Sequence, residues 1–211
     1  MKSILCFGDS NTYGYRPGVG GRYDKNTRWT GRLSKLLGEE YHVIEEGSNG
    51  RTSAFADPYD PWNRGLDYLK PCLNTHKPVD CVILMLGSND LKKQIGVSAK
   101  QIAEGVGTLV ETIRQFAMEK QGYIPKIILV SPICVLEGIE QGPFGDEFEQ
   151  DAVTRSREFS EYYRQVAAAY DCIFVDAAEI AEASELDCLH LSEEGHALLA
   201  SEFAGVIREN L

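Results

Sequence analysis

Five residues have the types and placing that acyl-transfer chemistry requires. Ser10 closes an apolar run near the start of the chain, Asp187 and His190 stand three positions apart near its end, and Gly50 and Asn89 lie between in small polar clusters. Serine acyl transfer needs a nucleophilic hydroxyl, a base to take its proton, and a carboxylate that holds the base in one tautomer. Ser10, His190 and Asp187 supply these in that order. The reaction also needs donors aimed at the charge that develops on the carbonyl oxygen. The backbone N–H groups of Ser10 and Gly50 and the amide of Asn89 can serve, each worth about 3 kcal/mol of transition-state stabilisation. Every one of these residues also has an ordinary structural reading. Ser10 can cap a helix, Gly50 can serve a tight turn, and Asn89 and Asp90 can cap the following helix, the job expected for Asp90. Asp187 can be a turn residue, and His190 a surface histidine like His42, His76 and His196.

The elements that would carry them decide between the readings. Ser3-Ile4-Leu5-Cys6-Phe7 is a short apolar run closed by Gly8-Asp9-Ser10, as expected of a buried strand ending in a loop. His42 to Glu45 is a second strand, closed by the cluster from Gly47 to Thr52. Cys81 to Leu86 is apolar throughout, as a central strand covered on both faces should be, and it runs into Gly87-Ser88-Asn89-Asp90. Lys126–Val130 and Cys172–Val175 are the fourth and fifth strands. Helical spacing marks Trp29, Leu33, Leu36 and Leu37, with Gly38 placed to stop the helix. It also marks Trp62, Leu66, Leu69 and Leu73, where Pro71 should disturb the last turn. Further helices carry Ile102 to Phe116, Phe159 to Tyr170, and Leu199, Phe203 and Val206, the last starting near Ser192. Strands alternating with helices predict an α/β fold: a three-layer αβα sandwich on a five-stranded parallel sheet. In such sheets ligands bind beyond the carboxyl ends of the strands. Ser10, Gly50 and Asn89 all follow strand ends, and His190 precedes the last helix.

The chain of 211 residues fits one domain, 1–211, with no repeat or interdomain linker. Its net charge of −11 argues against nucleic acid or anionic membrane as a partner. No apolar run reaches transmembrane length. The first strand starts within three residues of Met1, so a cleaved signal peptide would remove Ser10 with it, and the cytoplasm is the expected compartment. The six cysteines are scattered, without a Cys-x-x-Cys pair, and are expected to be free thiols.

The four blocks Gly8-Asp9-Ser10, Ser48-Asn49-Gly50-Arg51-Thr52, Gly87-Ser88-Asn89-Asp90 and Asp187-Cys188-Leu189-His190 resemble those of the SGNH (GDSL-type) hydrolases. Arg28-Trp29-Thr30-Gly31, Val43-Ile44-Glu45-Glu46-Gly47 and Met85 to Asp90 resemble the bacterial arylesterase subgroup that also transfers acyl groups. The resemblance implies a flavodoxin-like SGNH fold and a serine esterase of small acyl or aryl esters. It implies Ser10 as nucleophile, Asp187 and His190 as its partners, and Ser10, Gly50 and Asn89 as the oxyanion hole. No cofactor or metal is implied, and a homo-oligomer is expected, with residues 133–148 as its candidate contact. Two positions depart from the family. Asn11 follows the nucleophile where Leu is frequent, which suggests a more polar pocket floor, and residue 50 is Gly where close relatives can carry Ala.

Three other readings stand beside this one. The same site could act on carbohydrate acetates. The sandwich could be a non-catalytic module for a small ligand. Asp187, His190 and His196 could support metal-assisted hydrolysis, although no compact zinc motif is present. The long stretches 11–27 and 133–148 are expected to be loops that shape the pocket. Tyr13, Tyr15, Ile133, Val135, Ile139, Phe144 and Phe148 are candidates either to line it or to pack the loops.

Overall fold

In the first strand, β1 (Lys2–Gly8), alternate side chains go to opposite faces, and both faces are apolar. Leu5 and Phe7 join one buried cluster, Ile4 and Cys6 another. The computed structural model describes residues 1–211 and continues the pattern through α1 (Ser10–Tyr13), α2 (Trp29–Leu37), β2 (Tyr41–Gly47), α3 (Gly65–His76) and β3 (Cys81–Met85). There follow α4 (Ala99–Gln121), β4 (Lys126–Ser131), α5 (Asp151–Arg157), α6 (Phe159–Tyr170), β5 (Ile173–Asp176) and α7 (Glu193–Asn210). The five strands form one parallel sheet in the order β2-β1-β3-β4-β5. This is the predicted α/β sandwich.

Each face of the sheet has its own core. Val82 and Leu84 of β3 join Leu5 and Phe7 under α3, α4 and α6, whose Leu69, Ile102, Val106 and Tyr163 are buried there. Cys81, Ile83 and Met85 point the other way, under α2 and α7, where Trp29 meets Phe203 edge-on at 4.9 Å between ring centres. Burying one such side chain contributes about 1.5–3 kcal/mol. The central strands therefore need the helices on both sides, and their carboxyl ends are fixed along one rim. No helix is long and apolar enough to cross a membrane, and all six cysteines are free.

Several local expectations are corrected. Residues 10–13 form a helical turn, and Tyr15 pairs with Arg22, so the stretch after Ser10 has structure of its own. Trp62 sits on a short 3₁₀ turn at 74% exposure, and the helix behind it begins only at Gly65. That helix runs through Pro71 to His76. Leu36 is exposed, whereas Leu33 and Leu37 form the buried face of α2. His196 is fully buried rather than superficial. Its Nδ1 accepts the Trp29 N–H at 3.2 Å, capping the start of α2, where Arg28 offers no side-chain cap. Burial pushes its pKa down to about 3, because the imidazolium would be stranded there.

Candidate active site

Ser10 is the first residue of α1, and Asp9 is its cap: the Asp9 carboxylate accepts the Asn11 N–H at 3.0 Å. The turn fits because β1 and β2 each stop at a glycine. A Cβ on Gly8 would lie 2.1 Å from the Thr12 hydroxyl oxygen, and one on Gly47 would lie 2.1 Å from the Tyr13 nitrogen. These close approaches seat the turn that carries Ser10 against the strand ends, where Ser10 lines a cavity.

Across the rim, the segment from Asp187 to His190 is tightly wound. Cys188 has φ 61°, a left-handed conformation that costs a non-glycine residue about 1–2 kcal/mol. It is held by its own N–H donating to the Ser184 carbonyl at 2.8 Å and by its carbonyl accepting from the Leu136 N–H at 2.9 Å. The turn lets Asp187 Oδ1 accept two backbone N–H groups, from Leu189 at 3.1 Å and His190 at 2.9 Å. Its other oxygen lies 2.8 Å from His190 Nδ1. A carboxylate there accepts, so the imidazole proton sits on Nδ1 and the Nε2 lone pair faces Ser10 Oγ at 2.9 Å. The imidazole is flanked by Tyr15 and Phe144, with ring centres 4.3 and 5.2 Å away. All three members are buried.

The donors converge on the same rim. Neither the Ser10 nor the Gly50 N–H donates to any group of the protein, so both remain open to a ligand. Gly50 has φ 77°, which presents its N–H in a turn braced from behind. Asn63 builds that brace by accepting from the Ser48 hydroxyl at 3.0 Å and donating to the Asn49 carbonyl at 2.6 Å. Asn89 uses one amide hydrogen on the Arg51 carbonyl at 3.1 Å and keeps the second. Asp90 does not cap the following helix, a role that Ser98 takes with Gln101. Instead it is buried and accepts both the N–H and the hydroxyl of Ser53, locking the second cluster to the third.

A hydroxyl, an oriented base and three donor-bearing residues lining one cavity are the parts that acyl transfer requires. The sequence profile of the GDSL-like lipase/acylhydrolase family matches residues 6–198. The chain belongs to that family. Among solved structures, the hydrolase is similar along its whole length to the native aryl esterase of M. smegmatis. The two are 34% identical with a TM-score of 0.93, and all of each chain is covered. Est24, a carbohydrate acetylesterase from Sinorhizobium meliloti, covers and is covered equally at 33% identity and TM-score 0.93. A putative arylesterase from Agrobacterium tumefaciens does so at 32% and 0.90. No curated protein matches. The family and these neighbours make the chain a carboxylic ester hydrolase.

The hydrolase has a cavity of about 310 Å³ over Ser10 and His190. Of the seven loop residues that were candidates to line it or to pack the loops, Tyr15, Phe144 and Phe148 line it. Val135 and Ile139 are buried in the core beneath, Ile133 in the core of the other face, and Tyr13 lies under the Arg22 guanidinium. Asn11 is not the pocket floor. It is buried beside the turn from Asp187 to His190, donating to the Leu189 carbonyl at 3.3 Å and accepting from the Leu191 N–H at 2.9 Å. The other wall is charged, and nothing in the sequence marks it. Lys92, 6% exposed, pairs with Asp57 at 3.0 Å and with Glu147, and Asp60 and Tyr59 stand beside them. A larger cleft between residues 178–186 and α7 contains neither Ser10 nor His190. Asp187, His190 and His196 do not gather round a common point, which removes the metal-assisted reading built on them.

Proposed function

We propose that this hydrolase cleaves small acyl or aryl esters through an acyl-enzyme on Ser10. The single observation carrying the reading is the continuous relay Asp187 Oδ2, His190 Nδ1, His190 Nε2, Ser10 Oγ, with steps of 2.8 and 2.9 Å. His190 takes the Ser10 proton as Oγ bonds to the ester carbonyl carbon. The oxyanion accepts from the N–H groups of Ser10 and Gly50 and from the free Asn89 amide hydrogen. As the tetrahedral adduct collapses, the C–O bond to the leaving alcohol breaks and His190 protonates that alcohol. Water then attacks the acyl-enzyme, giving its proton to His190, and the released Ser10 takes it back. An alcohol entering in place of water would give acyl transfer. Asp187 keeps one tautomer and stabilises the imidazolium.

The cavity is small, and the apolar side formed by Tyr15, Phe144, Phe148 and Leu189 suits a short acyl or aryl group. Its opposite side favours a second reading, an acetylated carbohydrate. Asn49, Asp57, Asp60, Lys92 and Glu147 offer polar groups, and Tyr59 stands 83% exposed at the mouth. Both readings use Ser10. The deciding experiment compares wild type and Ser10→Ala on a small aryl acetate and an acetylated sugar, with stoichiometric labelling by a serine-directed organophosphonate. Loss of hydrolysis and of labelling in the variant is expected. An alanine variant that still turns over would overturn the mechanism.

A further inference from the structure

Outside the Ser10 cavity, one group of side chains has ligand chemistry and no part in the reaction. Tyr68, Cys72 and His76 are spaced by four along α3 and so share one stripe of its surface. The stripe faces Glu46, the penultimate residue of β2, which is an edge strand paired only to β1. Glu46 Oε1 lies 2.7 Å from His76 Nε2, and Oε2 accepts the Tyr68 hydroxyl at 3.2 Å. Ligand atoms of Glu46, Cys72 and His76 all lie within 4.8 Å of one another. We propose that these three residues form a site for one divalent cation of the zinc type, stapling the edge strand to α3.

The donor set is the first argument. A thiolate, an imidazole and a carboxylate suit zinc or cobalt, whereas magnesium and calcium want oxygen alone. Geometry is the second. Zinc bonds of about 2.0–2.3 Å put tetrahedral ligands roughly 3.3–3.8 Å apart. The Glu46–His76 pair has to open from 2.7 Å, and the remaining separations, none above 4.8 Å, have to settle at that spacing, by side-chain movements on the order of 1 Å. Access is the third. Cys72 is 1% exposed, but the Glu46 and His76 side chains keep 19% and 25% exposure, so the ion enters from their side and a water takes the fourth position. The Tyr68 hydroxyl already orients the carboxylate, as the partners of metal ligands do.

Charge works both ways. Burial pushes the Cys72 thiol up to about 12, with the Glu46 charge adding to the effect and Arg51 opposing it. The ion must therefore displace that proton to solvent as the sulfur–metal bond forms. The Arg51 guanidinium, stacked on Phe7 and Tyr68 at 4.5 and 5.1 Å, opposes a cation. It donates to the Gly8 and Glu46 carbonyls, and the two anionic ligands offset its charge.

The test uses the full chain, reduced and stripped with chelator, titrated with Co²⁺. One equivalent should bind, with a thiolate-to-cobalt band in the near ultraviolet that Zn²⁺ abolishes. Cys72→Ser should lose the band, His76→Gln should bind at least about tenfold more weakly, and Ser10→Ala should bind as wild type. No thiolate band at saturating Co²⁺ would overturn the proposal, as would a band that survives in Cys72→Ser. His76→Gln changes a partly exposed residue, so it carries the test if Cys72→Ser fails to fold, and undiminished affinity there would also refute the site.

Discussion

Asn11 Oδ1 accepts the backbone N–H of Leu191 at 2.9 Å, so the residue after Ser10 fixes the residue after His190. A second bond, from Asn11 Nδ2 to the Leu189 carbonyl at 3.3 Å, grips the chain on the other side of His190. The Trp29 indole N–H donates to the Asn11 carbonyl at 3.0 Å and steadies the clamp. The two ends of the relay are thus held together by a bond that takes no part in it.

Asn11→Leu, the residue frequent at this position in the family, removes both clamps while leaving Ser10, Asp187 and His190 in place. The Leu191 N–H is then buried without a partner, which costs about 1–3 kcal/mol. The expected result is a lower thermal midpoint and a fall in kcat with KM little changed, because the loss lies in the aim of His190. Unchanged kcat would show that the clamp is dispensable.

The glycines at 47 and 50 separate two demands. Gly47→Ala would drive a Cβ into the backbone of Thr12 and Tyr13, so the turn bearing Ser10 must move. Soluble yield and activity should both collapse. Gly50→Ala meets nothing closer than 3.4 Å and keeps its N–H, at a cost of about 1–2 kcal/mol for a side chain at positive φ. Its kcat/KM should stay within about tenfold of wild type. Steady-state kinetics with circular dichroism on the pair checks both.

Beneath the site lie two buried carboxylates. Burial pushes Asp90 up to about 7, with donors from Ser53 lowering it and the Asp9 charge raising it. Burial likewise pushes Asp9 up to about 6. A carboxyl whose folded pKa exceeds its unfolded value binds protons more tightly in the folded state. Its stabilisation is complete below the ordinary value of 3.8 and is lost as pH rises to about 7. Asp90→Asn removes that dependence. The melting temperature of the variant relative to wild type should therefore climb across this window and level off above it. A constant difference would mean that Asp90 does not titrate there.

Lys92→Met strips the cation from between Asp57 and Glu147 at the pocket wall. Burial works against the Asp57 charge, but the Tyr59 N–H, Lys92 and Gln94 together hold its pKa below the usual range. The variant should lose roughly 1–3 kcal/mol of stability and shift KM among esters more than kcat, since the relay does not touch Lys92. Denaturant titration and an ester panel read the two effects separately.

The sheet and the five candidate site residues were legible because their signals are local. Apolar runs closed by small polar residues mark strand ends, and strand ends in a parallel sheet share a rim. What stayed hidden depends on partners far along the chain. Lys92 sits in a polar stretch with no periodicity, and its two carboxylates are 35 residues before it and on the loop leading to α5. Asn63, bracing the Gly50 turn, and His196, capping α2, are likewise set by tertiary contacts. The Cys72 and His76 spacing is visible in the sequence, but Glu46 joins them only through packing of β2 against α3.

The Ser10 hydroxyl and the His190 imidazole are 180 positions apart. During synthesis the serine is therefore made long before His190 exists, and on the proposed mechanism a chain stalled anywhere before that residue carries an inert hydroxyl. Ester turnover in a translation extract would thus count only chains extended past His190, and its delay behind the synthesis of that residue would time the joining of the two ends of the relay.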